Sequence, residues 1–260
     1  MGHRLENAKR LYMEGIRDGR PREAIERYAG ARYTQHSTGV PDGKEGFVAF
    51  FEDFLARNPE REIDIVRGFE DGRYVFLQAA QTLNGGQFRY VTADIFETDD
   101  AGRMVEHWDV IAEMVEETAS GRTQIDGPGE PVDLDRTEHN RELVTRFLND
   151  VLVGGRLDRL ADFVSVENYA QHNVEIEDGL DGLIAALGRL RRQGQALSYR
   201  SVHRVLACGS FVAALSHVDI GDKELAVVDL FRVAEGLIVE HWDVMEEIPP
   251  REQWANGGKF

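Results

Sequence analysis

The chain is 260 residues long, 42% hydrophobic and 30% charged, a balance ordinary for a folded globular protein, and no run approaches the roughly 18 consecutive apolar residues of a membrane span. A formal net charge of −17, spread through both halves, repels phosphate backbones and anionic lipid, which argues against nucleic acid or a membrane as partner. The single Cys208 excludes an intramolecular disulfide and a cysteine-based metal cluster, and an N-terminus without the apolar core of a signal peptide gives a cytoplasmic expectation.

Residues 5–18 place Ala8, Leu11, Tyr12, Gly15 and Ile16 on one helical face, and Gly19 supplies a stop. Pro21 suits the first turn of a second helix over Pro21–Tyr28. Alternation then puts Tyr33 and Gln35 on one side of a short extended segment and His36 on the other. Asp42-Gly43 is a turn signal that opens a third helix, whose face carries Phe47, Phe50, Phe51 and Phe54. Residues 62–69, 73–83, 87–97 and 103–114 read as strands rich in Val, Ile, Tyr and Phe, separated by Asp-Gly, Asn-Gly-Gly and Asp-Ala-Gly turns. Turns this short join antiparallel neighbours.

The same order then runs again. Glu106-His107-Trp108-Asp109-Val110 returns as Glu240-His241-Trp242-Asp243-Val244. Tyr33, Gln35, His36, Asp42-Gly43 and Gly46 return as Tyr169, Gln171, His172, Asp178-Gly179 and Gly182. Val144, Phe147, Leu148, Val151 and Leu152 repeat the first helical face, and 157–164 repeats the second helix. Leu183, Ala186, Leu187 and Leu190 answer the four phenylalanines, so the two interiors should differ in shape. Strands are expected at 197–207, 210–219, 223–233 and 236–247. The chain is therefore a tandem duplication: a first copy over 1–115, a linker over 116–137, a second copy over 138–248 and a polar tail over 249–260. Each copy is α+β, three helices on an antiparallel meander.

Two helices, Tyr-x-Gln-His, Asp-Gly, a third helix and a meander ending in Glu-His-Trp-Asp resemble the SnoaL-like polyketide cyclase family of the NTF2-like (cystatin-type cone) fold. Asp94-Ile95-Phe96 and Asp229-Leu230-Phe231 add to the likeness. The resemblance implies a strongly curved sheet round a conical cavity, and a sheet-to-sheet dimer that two fused copies would supply within one chain, with further homodimers open. It also implies cofactor-free aldol chemistry with an acidic base, and no metal. The fold by itself hosts many activities.

On one pleat face His107 and Asp109, like His241 and Asp243, can share a proton, the geometry that general acid–base work needs. The other reading is that they brace a neighbouring strand while Trp108 and Trp242 fill the core. Asp94 and Asp229 sit in apolar strands, where a carboxylate is paired or shifted in pKa; they are second-choice bases, or partners of an arginine such as Arg89 or Arg103. His36 and His172 either orient a substrate carbonyl or anchor their loop. Tyr33, Gln35, Gln78, Trp108, Tyr169, Gln171 and Trp242 complete the expected substrate-binding set, the tyrosines as packing residues with a bonded hydroxyl. Only the second copy has a histidine at 217, so His172, His217, His241, Asp229 and Asp243 make it the better candidate for chemistry. The histidine spacings match no local metal motif, and no phosphate loop or nucleophile elbow is present. The expectation is a cofactor-independent cyclase, isomerase or dehydratase acting on a small hydrophobic carbonyl compound. The alternative is a non-catalytic binding or interaction module.

Overall fold

A computed structural model describes residues 2–260. Its chain forms two compact units: residues up to Glu113 together with Ile248–Phe260, and Met114–Glu247. Each is described in turn.

In the first unit, α1 (His3–Tyr12) continues as a π-helical turn over Met13–Arg17 and buries Leu5, Ala8, Leu11, Tyr12 and Ile16. The chain turns at Gly19, whose φ of 73° suits glycine. α2 (Pro21–Tyr28) begins on its proline and buries Ala24, Ile25 and Tyr28. β1 (Ala29–Gln35), α3 (Gly43–Arg57) and the strands β2 (Arg61–Asp71), β3 (Tyr74–Leu83), β4 (Phe88–Thr98) and β5 (Met104–Glu113) follow. The sheet order is β1-β5-β4-β3-β2. The three helices pack on one face of the sheet, where Val75, Leu77, Ala79 and Phe96 meet them in a single apolar core.

The meander is as expected, but the sheet is not purely antiparallel. The Tyr-x-Gln-His segment is a fifth strand, and it runs parallel to β5 with Gln35 opposite His107. A parallel partner needs a long crossover connection, and here α3 and three strands supply it, so local sequence gives no sign of the pairing. A bulge between Ile65 and Arg67 bends β2 in the way that extra residues bend strands.

The second unit repeats this with α4 (Thr137–Phe147) and its π turn, Leu148–Val153. Then come β6 (Ala170–Gln171), α5 (Gly179–Arg192), β7 (Leu197–Cys208), β8 (Phe211–Ile220), β9 (Lys223–Ala234) and β10 (Leu237–Glu247). Its order is β6-β10-β9-β8-β7, again with the short first strand parallel to β10. The expected second helix at 157–164 is instead a 3₁₀ segment, Leu157–Asp162, in which Leu160 alone is buried. Phe163 and Val164 are buried just beyond it but pair with Ile238 at the start of β10, so the sheet takes the residues that a second helical turn would need.

The repeated Asp-Gly-x-x-Gly has a job at each position. Asp42 Oδ1 accepts from the Gln35 backbone N–H and Asp178 Oδ1 from that of Gln171, both at 2.8 Å, tying the loop back to the end of β1 or β6. Gly43 and Gly179 open the helix with φ of 82° and 83°, a region side chains avoid. A Cβ on Gly46 or Gly182 would collide with the carbonyl of Pro41 or Glu177.

The segments expected to be linker and tail belong to the units. Residues 114–133 lie in the second unit, where Ala119 N–H donates to Val174 O and Arg122 grips Asp178. The tail lies in the first: Ala255 N–H donates to Thr38 O, and Asn256 reaches the carbonyls of Ser37 and Val40.

Candidate active site

Between the helices and the inner face of each sheet is a cavity. The first has a volume of about 110 Å³ and is ringed by Phe47, Phe50, Phe51, Phe54 and Phe96. The second, about 240 Å³, is walled largely by aliphatic side chains, among them Leu183, Ala186, Leu187 and Leu190 of α5. Replacing phenylalanines by leucine and alanine leaves more room. Asp94, His107 and Asp109 line the first cavity, and Asp229, His241 and Asp243 the second. The carboxylates are brought together by register, with Asp94 opposite Asp109 on adjacent strands and Asp229 opposite Asp243.

Glutamine settles the histidine tautomer. Gln35 Oε1 accepts from the backbone N–H of Ser37 at 2.9 Å, and Gln171 Oε1 from those of His172 and Asn173. Backbone N–H groups only donate, so the amide oxygen, not the nitrogen, must point there. That same oxygen lies 3.0 Å from Nδ1 of His107 or His241, so Nδ1 carries a proton. Nε2 then faces Asp94 Oδ1 at 3.0 Å, or Asp229 Oδ1 at 2.9 Å. One further proton must sit in that contact, either on the imidazole or on the acid. Each copy thus stores a proton between a histidine and a buried aspartate. Aromatic rings hold the imidazole flat, with Phe96 stacked on His107 at 4.4 Å and Phe231 on His241 at 4.9 Å.

The aspartate of this pair is steadied differently in each copy. In the first, Gln81 donates to Tyr12 Oη, and Thr92 donates on to Asp94 Oδ2 at 2.7 Å, with Tyr12 and Thr92 3.0 Å apart. In the second, Tyr199 Oη donates directly to Asp229. Burial pushes both phenols well above their ordinary pKa, reinforced by the nearby aspartates, so they stay donors. Burial also lifts Asp94, against the pull of His107. On His241 burial opposes the charge, but the hydrogen bond to Asp229 and the charge of Asp243 outweigh it and raise the pKa.

The remaining aspartate separates the copies most sharply. Burial lifts Asp243 above the usual carboxylate range, only partly opposed by His241 and by Asn173, which donates to its Oδ2 at 2.6 Å. Burial acts on Asp109 too, but the buried Lys259 ammonium, 3.2 Å from Oδ1, together with His107 and Ser37, brings it below that range.

The model of the SnoaL-like domain matches residues 9–107 and again 144–241. The chain belongs to the SnoaL-like family. Among similar solved structures, a protein assigned as a polyketide cyclase from Bacillus cereus is 20% identical, with a TM-score of 0.37 over 42% of this chain and 73% of its own. One assigned as a ketosteroid isomerase from Kribbella flavida is 22% identical, with a TM-score of 0.37 over 44% of this chain and 84% of its own. A Mycobacterium tuberculosis epoxide hydrolase of the LEH-like type is 23% identical, with a TM-score of 0.34 over 43% and 85%. No curated protein matches at a significant level.

Several residues expected in the SnoaL-like sites lie elsewhere. His36 and His172 are on the opposite face, stacked on Trp108 at 4.8 Å and Trp242 at 4.6 Å. Their Nε2 atoms meet Glu106 and Glu240, and their Nδ1 atoms meet the carbonyls of Gly258 and Thr123. Alternation along the strand carries them away from Tyr33 and Gln35, or from Tyr169 and Gln171, and they fasten the tail and the interdomain segment instead of orienting substrate. Trp108 and Trp242 share that face and do not bind in the cavity. Gln78 is turned to the same side and accepts from Arg67 at 2.8 Å, while Gln81, three residues on, lines the cavity. His217 is also outside. On β8, Val212, Ala214 and Val218 belong to the core, so alternation turns His217 outward, to within 3.5 Å of Glu224. It does not mark the second copy as the reactive one.

Sequence reasoning missed Tyr12, Thr92, Asn173, Tyr199 and Lys259. Tyr12 and Tyr199 read as core aromatics, and nothing local ties a polar tail to Asp109. Each cavity trio presents three potential metal-ligand atoms within 4.8 Å of one another, as does the surface group His217, Asp219 and Glu224. In the surface group Arg200 already pairs with both acids. Among the described residues, no helix is long and apolar enough to cross a membrane.

Proposed function

We propose that the second domain is a cofactor-independent acid–base site for a small hydrophobic carbonyl compound, catalysing an aldol-type ring closure, an isomerisation or a dehydration. The observation that carries this reading is the trio Asp229, His241 and Asp243 on the wall of an apolar cavity of about 240 Å³, with the neutral amide of Asn173 donating to Asp243 where Asp109 of the first domain meets a lysine. A buried carboxylate lifted in pKa is a stronger proton acceptor than one in water, and a general base works best when its pKa approaches the working pH. Asp243 would take the proton α to the carbonyl. The proton shared by His241 and Asp229 would pass to the developing alkoxide, with Tyr199 holding Asp229 in place. Both acid and base come from the chain itself.

Family membership supports the class of chemistry and leaves the substrate open. The volume admits a compound of one or two rings, and the apolar lining favours one with few polar groups. The test is the double substitution His241→Gln with Asp243→Asn, assayed for turnover of a carbonyl substrate found by screening. Turnover should vanish while the chain still folds, unfolding in one cooperative transition with the circular dichroism of the parent. An unchanged rate would remove the assignment.

A further inference from the structure

The first cavity differs from the second in more than size. Tyr33 lines it and is buried, at 4% exposure, yet among the described residues its hydroxyl meets no hydrogen-bond partner. Its counterpart Tyr169 accepts from Gln171 Nε2 at 3.3 Å. A buried hydroxyl left unmade costs on the order of 1–3 kcal/mol, so its retention inside a cavity points to a ligand atom that completes it. Burial, with Asp109 and Asp94 adding to it, keeps the phenol protonated. What Tyr33 can offer is therefore a donor, and its complement is an acceptor oxygen.

The walls define the rest of the ligand. Five phenylalanines favour a flat aromatic body, which they can meet edge-on or in offset stacks. A volume of about 110 Å³ is smaller than the apolar cavity of roughly 150 Å³ that takes up benzene, so a single ring is the upper limit and the wall must give to admit it. Phe50, Phe51 and Phe54 are only half-buried and can shift to admit a substituent. The Lys259–Asp109 ion pair is closed within the protein, with the ammonium 1% exposed, so a charged ligand has no counter-ion to claim. A carboxylate so paired is also a poor proton acceptor.

We propose that the first cavity is a binding site for a small neutral aromatic compound bearing a carbonyl oxygen, which Tyr33 anchors through its hydroxyl, and that the compound is held there without being converted. This stands apart from the chemistry assigned to the second cavity, and it is read by binding, not by turnover.

Acetophenone is the probe, titrated into the full chain by calorimetry, with isopropylbenzene as the analogue that lacks the oxygen. Tyr33→Phe should weaken acetophenone about tenfold at one class of site, the value of one good hydrogen bond, and leave isopropylbenzene unchanged. Tyr169→Phe should leave that class intact. The melting temperature of Tyr33→Phe should equal or exceed the parent's, because a partnerless buried hydroxyl is removed, so lost affinity cannot be laid to misfolding. Absence of acetophenone binding, equal affinity in Tyr33→Phe, or an equal loss in Tyr169→Phe overturns the site. In deuterated water, acetophenone incubated with Asp243→Asn should keep its methyl protons. Exchange that persists there and disappears on adding Asp109→Asn overturns the claim that the compound is held unconverted.

Discussion

Asp243 and Asp109 are the same residue in two copies of one strand, and their surroundings drive them in opposite directions. Burial lifts Asp243, so its protonated form is the one the fold favours. Its contribution to stability is full below the unfolded carboxylate pKa and is lost as the pH rises through the folded value. Asp109 is brought down by Lys259, so its contribution is present above the unfolded pKa and is lost as the pH falls through the folded one. Asp243→Asn should therefore stabilise the chain at pH 7, with the gain shrinking toward pH 4. Asp109→Asn should destabilise it at pH 7 and nearly as much at pH 4, because that contribution is lost only as the pH falls below the ordinary carboxylate value. Urea unfolding at the two pH values measures both, and a common sign at pH 7 would contradict this account. In the sequence, pleat alternation puts this aspartate and the histidine two residues before it on one face, and Asp94 and Asp229 stand out as carboxylates in apolar strands. The glutamine's part was not legible there, since it depends on which backbone amides its side chain meets.

Among the elements, the loop from β1 into α3 shows how far a motif can be read without its geometry. Asp-Gly was legible as a turn. That its aspartate binds backward to Gln35, and that Gly46 lies against the Pro41 carbonyl, follows from the loop's path and not from local preference. Gly182→Ala should cost about 1–3 kcal/mol by overpacking, and Gly46→Ala about as much, read as a lowered urea midpoint at unchanged slope. The hairpins and every helix but the one expected over 157–164 announced themselves through period and turn chemistry, and the observed strands lie within a residue or two of the expected ones. The parallel strand did not, because its partner is some seventy residues away, and no local signal spans a crossover of that length.

At the scale of the molecule, duplication was legible from two repeated phrases, while the destinations of the segments between and after the copies were not. Polar and aperiodic, they read as linker and fraying tail, yet each inserts donors and acceptors into the loops of a domain. The Lys259–Asp109 pair is buried, and removing one member of such a pair strands the other. Lys259→Met should lower stability at pH 7 by about 3–5 kcal/mol. Adding Asp109→Asn should recover a good part of that loss, a non-additivity that a double-mutant cycle measures directly. Strictly additive losses would show that the two groups do not act on each other.

Lys259 also sets an order of events in the making of the protein. A ribosome adds roughly 5–20 residues per second, so once β5 has been made, the whole second domain must still be synthesised before the counter-ion of Asp109 exists, a wait of roughly seven to thirty seconds at that pace. Until then the N-terminal sheet carries on its inner face an acid without its lysine. The first domain to be translated is the last to be completed, and a nascent chain stalled after β10 should present an N-terminal half that proteases still recognise as open.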